Sequence, residues 1–254
     1  MGKSCSSCRP FTQEATAVRR IIYTDIQIGE QSEPFAGLRL YRNVRSLRMN
    51  RMGNRIMKAT ECPAGGIVCF GRYWQTSEST PEPIEWRVLF SGNSFAVLTS
   101  AFVLDCGPYN SLYDKVNWGV STLRTWLNGH FLNSAFTPDE QAQLSSIDAL
   151  GNRRFIVRDR QINKALDKVC LLSVEEANLF FHADEERICQ PTPYARKQGV
   201  CTSDRNTCIW WLRSPLRTQY YASNVNFIGY IEKRGEAVDS AHVGIRPVIV
   251  PLLE

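Results

Sequence analysis

The sequence predicts an α+β fold, and three observations lead to that prediction. Short segments of strand-forming residues occupy positions 67–73, 84–90 and 95–99, and their length and composition are those of strands in an antiparallel sheet. Three separate helix-start signals follow further along the chain. Hydrophobic residues make up 43% of the 254 residues, which is enough to bury a core and argues against disorder throughout the chain.

The three strand candidates are separated by typical turn sequences. A loop rich in Ser, Thr and Pro at 76–83 joins the first two, and a Ser-Gly-Asn turn precedes the third. Such turns allow successive strands to fold back on one another. We therefore predict short, twisted antiparallel sheets.

Each helix-start signal contains a side chain that can cap a helix. Ser121 precedes apolar residues at the three–four spacing of a helix. Thr137-Pro-Asp-Glu140 and Ser173-Val-Glu-Glu176 both have the capping-box pattern, in which the glutamate bonds back to the cap. A further short helix is expected at 193–197, ended by Gly199. The sequence predicts two to four short helices.

From Trp210 onward the composition changes, and no helical spacing is visible. Tyr, Asn, Ser and Gly are frequent, and single apolar residues alternate with polar ones and with Gly229 and Gly235. This pattern predicts a loop-rich C-terminal half of short strands, closed by an apolar strand over 243–253. The apolar residues expected to point inward are Ala222, Val225, Ile231, Val238 and Val243.

The charge distribution divides the chain into a basic N-terminal appendage at 1–62 and one domain at 63–254. Residues 1–60 hold eleven Lys or Arg against four Asp or Glu, a net of +7, and the remaining residues carry a net of −2. An arginine row lies within the appendage, at Arg39, Arg42, Arg45, Arg48 and Arg51. The row is interpreted either as a contact for an acidic partner or nucleic acid, or as a solvated helix face.

Nine cysteines are present, an odd number scattered along the chain. Most are expected to be buried thiols in a reducing compartment. Cys5 and Cys8 have the spacing of half a zinc site, which Cys62 and Cys69 would have to complete. Because those two are seven residues apart, we predict no metal ion and no cofactor.

The sequence offers no catalytic motif. Its three histidines are dispersed, and it contains neither a nucleophile elbow, nor a phosphate-binding loop, nor a His-Glu-x-x-His pattern. No apolar run is long enough for a membrane span, and no signal peptide is visible at the start. We expect a binding protein without enzymatic activity or a membrane span, located in the cytoplasm or in a phage particle.

Eight short motifs follow one another between residues 67 and 253. They are Phe70-Gly-Arg-Tyr73, Ile84-Glu-Trp-Arg-Val-Leu89, Leu104-Asp-Cys106 with Pro108-Tyr-Asn110, Ser121-Thr-Leu-Arg-Thr-Trp-Leu-Asn128, Leu171-Leu-Ser-Val-Glu-Glu-Ala177, Pro193-Tyr-Ala195, Trp210-Trp-Leu-Arg-Ser-Pro215 and Val243-Gly-Ile-Arg-Pro247. Together they resemble a bacterial and phage domain of unknown function that is related to formylglycine-generating enzymes. The resemblance implies a C-type-lectin-like fold.

Some proteins of this wider group are variable proteins of diversity-generating retroelements, in which altered template adenines diversify Asn codons near the 3′ end of the gene. The resemblance implies that residues 217–242 form a diversified surface that binds a protein ligand. Its expected ligand-binding residues are Arg217, Thr218, Tyr220, Tyr221, Ser223, Asn224, Asn226, Phe227, Tyr230, Asp239, Ser240 and His242. Glu232, Lys233 and Glu236 cannot arise from an Asn codon in this way.

The composition of this segment supports binding on physical grounds as well. Tyrosine provides a large contact area at low entropic cost, and Ser and Asn provide adaptable hydrogen bonds, as in antibody paratopes. The alternative is an ordinary sheet edge with solvent-facing side chains. Arg213 and Arg246 lie within the motifs, and we expect them to form hydrogen bonds within the scaffold.

Two other functions stay open. The resemblance to formylglycine-generating enzymes would imply an oxidase with paired cysteines, for which Cys201 and Cys208 are the nearest candidates, although their context does not match that enzyme's motif. A phage structural or assembly protein would use the arginine row for attachment. Calcium-dependent sugar binding is not supported, because neither Glu-Pro-Asn nor Gln-Pro-Asp occurs.

Overall fold

The computed structural model describes residues 57–149 and 166–254, together with the backbone of a strand at 156–158. All of them belong to the unit that spans Met52–Glu254. Short helices and mostly antiparallel sheets make up this unit. The predicted α+β class is confirmed.

In the described part of the chain, twelve strands follow one another. They are β1 (Ile67–Tyr73), β2 (Glu82–Ser91), β3 (Ala96–Ser100), β4 (Asp105–Cys106), β5 (Ser146–Asp148), β6 (Ile156–Arg158), β7 (Val169–Cys170), β8 (Trp210–Pro215), β9 (Tyr221–Val225), β10 (Glu236–Ala237), β11 (Gly244–Ile245) and β12 (Val248–Ile249). The helices are α1 (Thr122–Trp126), α2 (Leu132–Ala135), α3 (Pro138–Gln143), α4 (Val174–Phe180), α5 (Asp184–Arg187) and α6 (Pro193–Lys197), with short 3₁₀ turns at Ala59–Glu61 and Trp118–Val120.

The first sheet has the strand order β1-β2-β3-β12-β7, and all of its pairs are antiparallel. Its first three strands are the predicted ones. The register of β1 shifts between Cys69 and Arg72, where Gly71 has a φ of +68°. A Cβ on Gly71 would lie 2.5 Å from a ring carbon of Phe136, so the irregularity requires glycine. Beyond it, Tyr73 ends the strand as a buried residue.

The second sheet has the order β10-β9-β8-β11-β4, in which only the β8–β11 pair is parallel. Strand β9 therefore lies between β10 and β8. A separate pair, β5 with β6, is antiparallel.

The predicted closing strand over 243–253 is wrong as a single element. The chain instead forms β11 in the second sheet and β12 in the first, with Arg246 and Pro247 between them. Proline has no backbone N–H to donate to a ladder, which favours a break at that point. The apolar run is therefore the crossing from one sheet to the other.

The predicted caps are confirmed. Ser121 accepts a hydrogen bond from the backbone N–H of Arg124, and Thr137 and Ser173 both form complete capping boxes. Thr192 caps α6 in the same way. Between α1 and α2 the helix passes through a π-helical turn, Leu127–Phe131. Helix α5 is an additional element, formed by the acidic stretch after α4.

The core is rich in aromatic residues and contains a buried ion pair. Arg213 bonds to the Glu176 carboxylate through both terminal nitrogens, and both side chains are almost fully buried. Arg213 also donates to the carbonyls of Leu171 (3.0 Å) and Ala149 (3.2 Å). Its predicted role in the scaffold is confirmed.

The Arg246 guanidinium lies against two aromatic rings. Its guanidinium lies 4.9 Å from the Trp210 ring centroid and 5.5 Å from that of Phe181, and its Nε donates to the carbonyl of Ser100 at 3.0 Å. Such stacking stabilises a desolvated guanidinium. The scaffold role expected for Arg246 is confirmed too.

The core extends to the N-terminal side of residue 63. Met57 pairs with Leu253 and is buried, and Cys62 is fully buried. The packed core therefore includes Met57 and Cys62, which precede the predicted domain boundary at residue 63.

Candidate functional site

The structure exposes only part of the expected ligand-binding segment. Arg217, Thr218, Tyr221, Asp239 and His242 are exposed. The residues that are half-buried are Tyr220, Asn226, Phe227, Tyr230 and Ser240. The four apolar residues that are fully buried beneath them are Ala222, Val225, Val238 and Val243, and Ile231 is partly buried against the same core, so the expected inward anchors are confirmed.

Ser223 and Asn224 were expected on the displayed surface, and that expectation is wrong. Each is only 3% exposed. The reason is that β9 is flanked by β10 and β8 while side chains on both of its faces are buried, so the usual alternation of inward and outward residues is lost. These two residues cannot contact a partner in this fold.

The remaining residues divide between the two ends of β9. A five-residue strand is about 16 Å long, and Tyr220 and Tyr221 lie at its start while Asn226, Phe227 and Tyr230 lie beyond its end. The structure therefore does not bring all of the expected residues together.

At the far end of β9, Asn226 organises a turn. Its side-chain oxygen accepts hydrogen bonds from the backbone N–H groups of Ile228 and Tyr230, each at 3.1 Å. Phe227 packs partly against the core, and Arg187 donates to the carbonyl of Gly229 at 2.9 Å. These contacts give this end a structural role.

At the near end, three tyrosines form an exposed cluster, which we call the tyrosine surface: Tyr113, Tyr220 and Tyr221. The ring centroids of Tyr113 and Tyr220 are 5.2 Å apart, and Tyr113 and Tyr221 meet edge-on at 6.4 Å. Tyr113 is 52% exposed and Tyr221 is 38% exposed. Tyr113 was not among the expected site residues, because it lies more than a hundred residues away in the sequence.

The backbone fixes this cluster from two sides. The N–H of Val116 donates to the carbonyl of Gln219 at 3.0 Å, and that of Asn110 donates to Val238 at 2.8 Å. Arg217 and Thr218 occupy the tip of the turn that precedes the cluster, closed by the bond from Gln219 N–H to Leu216 (2.9 Å). The loop 110–116 and the start of β9 thus form one surface.

Charges of both signs flank the tyrosine surface. The Lys115 ammonium lies 5.9 Å from the Tyr220 ring centroid. A hydrogen bond with Tyr221 raises the pKa of Tyr113, and the nearby charge of Asp239 adds to that effect. The His242 Nε2 lies 3.6 Å from the Glu236 Oε1. The Ser240 hydroxyl donates a hydrogen bond to the same oxygen at 3.5 Å.

A second candidate site is a cleft of about 360 Å³ that sequence reasoning did not identify, which we call the Asp105 cleft. It lies where the edge strand β4 meets helix α1, helix α6 and the end of β1. The residues that line it are Tyr73, Asp105, Cys106, Gly107, Pro108, Thr122, Leu123, Trp126, His130, Tyr194, Gln198 and Ile245. Its volume is within the range of small-molecule sites.

Asp105 is the carboxylate of this cleft, and it is only 8% exposed. One of its oxygens accepts a hydrogen bond from the Tyr73 hydroxyl at 2.7 Å, and the other accepts from the backbone N–H of Cys106 at 2.8 Å. Burial raises the pKa of Asp105, although both hydrogen bonds and the charge of His130 act in the opposite direction.

The walls of the cleft are largely aromatic. Trp126 lies beside His130, with ring centroids 5.9 Å apart and nearly parallel planes, and Trp74 stacks on the same imidazole at 6.5 Å. His130 belongs to the π-helical turn, a feature that is frequent at functional sites. Burial raises the pKa of Cys106 and that of Tyr194 to about 12, so both stay protonated at neutral pH.

The cysteine pair considered for an oxidase does not form an open site. Cys208 is fully buried, burial raises its pKa, and neither Cys201 nor Cys208 lines the Asp105 cleft. A protonated, inaccessible thiol is a poor nucleophile. The geometry gives no support to this alternative.

Several expectations concern residues outside the described ranges. The arginine row from Arg39 to Arg51 and the cysteines Cys5 and Cys8 lie there. Of the other two candidate zinc ligands, Cys62 is buried and Cys69 is exposed. Among the described residues, no helix combines the length and apolar character needed to cross a bilayer.

Comparison with known protein families identifies a match. A family model described as Domain of unknown function (DUF6273) matches residues 93–250. No curated protein and no solved structure matches the chain. The matched region contains β3 to β12, and with them the tyrosine surface and most of the residues that line the Asp105 cleft.

Proposed function

The chain belongs to the DUF6273 family, whose function is unknown, and we propose that it is a protein-binding module without enzymatic activity, built on a C-type-lectin-like scaffold. The observation that carries this proposal is the tyrosine surface. It places three tyrosine rings side by side, two of them substantially exposed, on a backbone that is fixed by buried residues beneath.

The rings are positioned before any partner arrives. Tyr113 contacts both of the other rings, and Ala222 and Val238 are fully buried under the segment that carries them. Aromatic side chains held in this way lose little conformational entropy on binding, which is the main advantage of a preorganised paratope. Leu112, 69% exposed, extends the apolar area beside Tyr113.

The flanking charges favour a protein partner over nucleic acid. Beside the rings, the positive charges of Lys115 and Arg217 are accompanied by the negative charge of Asp239. A phosphate backbone selects for positive charge alone, whereas the rim of a protein interface commonly carries both signs.

The first test uses a photo-crosslinking amino acid to find the partner. The full-length chain with p-benzoylphenylalanine in place of Tyr113 is expected to capture a specific protein from cells that contain the chain. The same replacement at Tyr230, at the opposite end of β9, serves as the matched control and is expected to capture none.

The captured protein is then purified and titrated against single variants. Tyr113→Ala and Tyr221→Ala are each expected to weaken binding at least tenfold, because exposed aromatic anchors dominate interface energies. Tyr230→Ala is expected to leave the affinity unchanged. Equal losses for all three variants, or unfolding of Tyr113→Ala in thermal melts, would contradict the proposal.

We also propose that this surface is diversified by a retroelement. The side chains of Tyr220, Tyr221 and Asp239 can all arise from an Asn codon by changes at adenine positions. The expected observation is a near-copy of the 3′ end of the gene beside a reverse transcriptase gene, with mismatches at adenines. The structure sharpens this expectation, since variation should spare the buried Ser223 and Asn224.

Finding no such copy in the genome that carries the gene would rule out diversification but not binding. Mismatches concentrated in codons 223 and 224 would contradict both the assignment of the surface and its burial pattern.

A further inference from the structure

The Asp105 cleft contains a buried carboxylate whose charge is not paired with a lysine or arginine of the described residues. Asp105 forms no ion pair within the described ranges, and none of the residues that line the cleft is a lysine or arginine. The two other buried carboxylates with hydrogen-bonded side chains, Glu176 and Asp167, both pair with an arginine. An ionised carboxylate is costly to bury unless a cation or several donors compensate it.

We infer that the Asp105 cleft binds a small organic cation that carries an ammonium group. Each carboxylate oxygen accepts one hydrogen bond from the protein, from Tyr73 and from the backbone of Cys106. A carboxylate has about four acceptor positions in total. The two that remain are those to which an ammonium group entering the cleft can donate.

The walls fit the same ligand. Tyr73, Trp126 and Tyr194 present aromatic rings to the cleft, and the faces of such rings attract cations. Ile245 and Leu123 provide apolar contact for a short carbon chain. One end of the expected ligand is therefore charged, and the other is hydrophobic.

Electrostatics around the cleft favour a cation over an anion. The negative charge of Glu78 is close enough to raise the pKa values of both Asp105 and Tyr194. The one basic side chain in the lining is His130, which is exposed. An anionic ligand would meet the Asp105 carboxylate, and the lining offers it no lysine or arginine.

A metal ion is a poorer fit. Within the described ranges, no three His, Cys, Asp or Glu side chains come together as a metal site requires. The single carboxylate with aromatic neighbours instead matches the recognition of an organic ammonium ion.

The test compares two probes of similar shape on the full-length chain. The first is n-butylammonium, and the second is n-butanol, which has the same number of non-hydrogen atoms and is uncharged at neutral pH. Calorimetric titration at constant ionic strength is expected to give a dissociation constant of about 1 mM for the ammonium ion, as suits a ligand of five non-hydrogen atoms. Butanol is expected to bind at least tenfold more weakly, and equal binding of the two probes overturns the inference.

Two variants locate the binding. Asp105→Asn keeps the shape of the side chain. Its amide oxygen can still accept from the Cys106 N–H, and its NH₂ can donate to the Tyr73 hydroxyl oxygen in place of the bond that the carboxylate accepted. The variant is expected to weaken ammonium binding at least tenfold. Asp139→Asn removes an exposed carboxylate in the first turn of α3, outside the cleft, and is expected to bind like the original chain. Unchanged affinity in Asp105→Asn overturns the inference.

A third variant removes an aromatic wall. Trp126→Leu is expected to weaken ammonium binding several-fold while Asp105 is intact, since the cation–π contact is lost. Its folding is checked by thermal melting, and the comparison of the two probes on the original chain stands independently of any variant. Neither measurement involves the tyrosine surface, so the outcome is separate from that of the proposed protein binding.

Discussion

The Asp105 cleft and the tyrosine surface come from different parts of the same sequence. Nine of the twelve residues that line the cleft belong to the eight motifs, contributed by five of them. Tyr113, Tyr220 and Tyr221 belong to none. The segments that resemble a known domain build a concave site, and the segments between them build the exposed one.

The two regions also differ in the number of secondary-structure elements that contribute their residues. The cleft draws on β1, β4, α1, α6 and β11, so its shape exists only when the whole domain is folded. The three rings of the tyrosine surface are carried by one loop and the start of one strand. Side chains can therefore change more freely on the tyrosine surface than in the cleft.

The sharpest test of this difference lies within a single strand. Asn224→Asp introduces a charge at a fully covered position, where the side-chain oxygen already has no hydrogen-bond donor among the described residues. The expected loss in the free energy of unfolding is on the order of 3 kcal/mol, because the charge is buried without a partner. Tyr221→Asp, three residues away and exposed, is expected to lose about 1 kcal/mol or less.

Urea unfolding measures the free energy of unfolding of both variants. Repeating the measurement at lower pH tests whether the charge of the new carboxyl causes the loss. The new carboxyl at position 224 would have a raised pKa in the folded state, so its destabilisation is expected to fade as the pH drops and the group becomes protonated. Equal losses at the two positions would mean that Asn224 is accessible after all, which would restore it to the displayed surface.

Much of the fold could be predicted because its determinants are local. The capping boxes at Thr137 and Ser173 need only four consecutive residues, and both form as expected. The break between β11 and β12 could not be predicted from hydrophobicity, since Val243–Gly244 and Val248–Ile249 look like one apolar run. Their separation into two sheets depends on pairing with β8 and β3, which are remote in the sequence.

The candidate sites were harder to predict for the same reason. The polar residues between the inward anchors Ala222 and Val225 were expected to be displayed, but β9 is covered on both faces by packing that no local pattern reveals. Tyr113 joins Tyr220 through tertiary contact alone. Asp105 stood in a recognised motif, yet only the structure shows that it is buried in a cleft.

The smallest expected effect concerns the stability of the cleft itself. Burial raises the pKa of Asp105 in the folded state above its ordinary value of about 3.9 in an unfolded chain. The folded chain therefore binds this proton more tightly than the unfolded chain does. Linkage then requires the contribution of Asp105 to stability to be complete below pH 4 and to be lost as the pH rises through the raised pKa.

Asp105→Asn removes this titration and keeps the shape of the side chain. The variant is expected to be more stable than the original chain at pH 7, and the difference should shrink toward pH 4, as measured by urea unfolding at pH 4, 5.5 and 7. The neighbouring titratable groups Glu78, His130 and Tyr194 are present in both proteins, so their contributions largely cancel in the difference. A variant that is less stable by the same amount at every pH would make Asp105 a structural anchor. A gain at pH 7 together with a loss of ammonium binding would instead show that the chain maintains this carboxylate at the expense of stability, as a binding site requires.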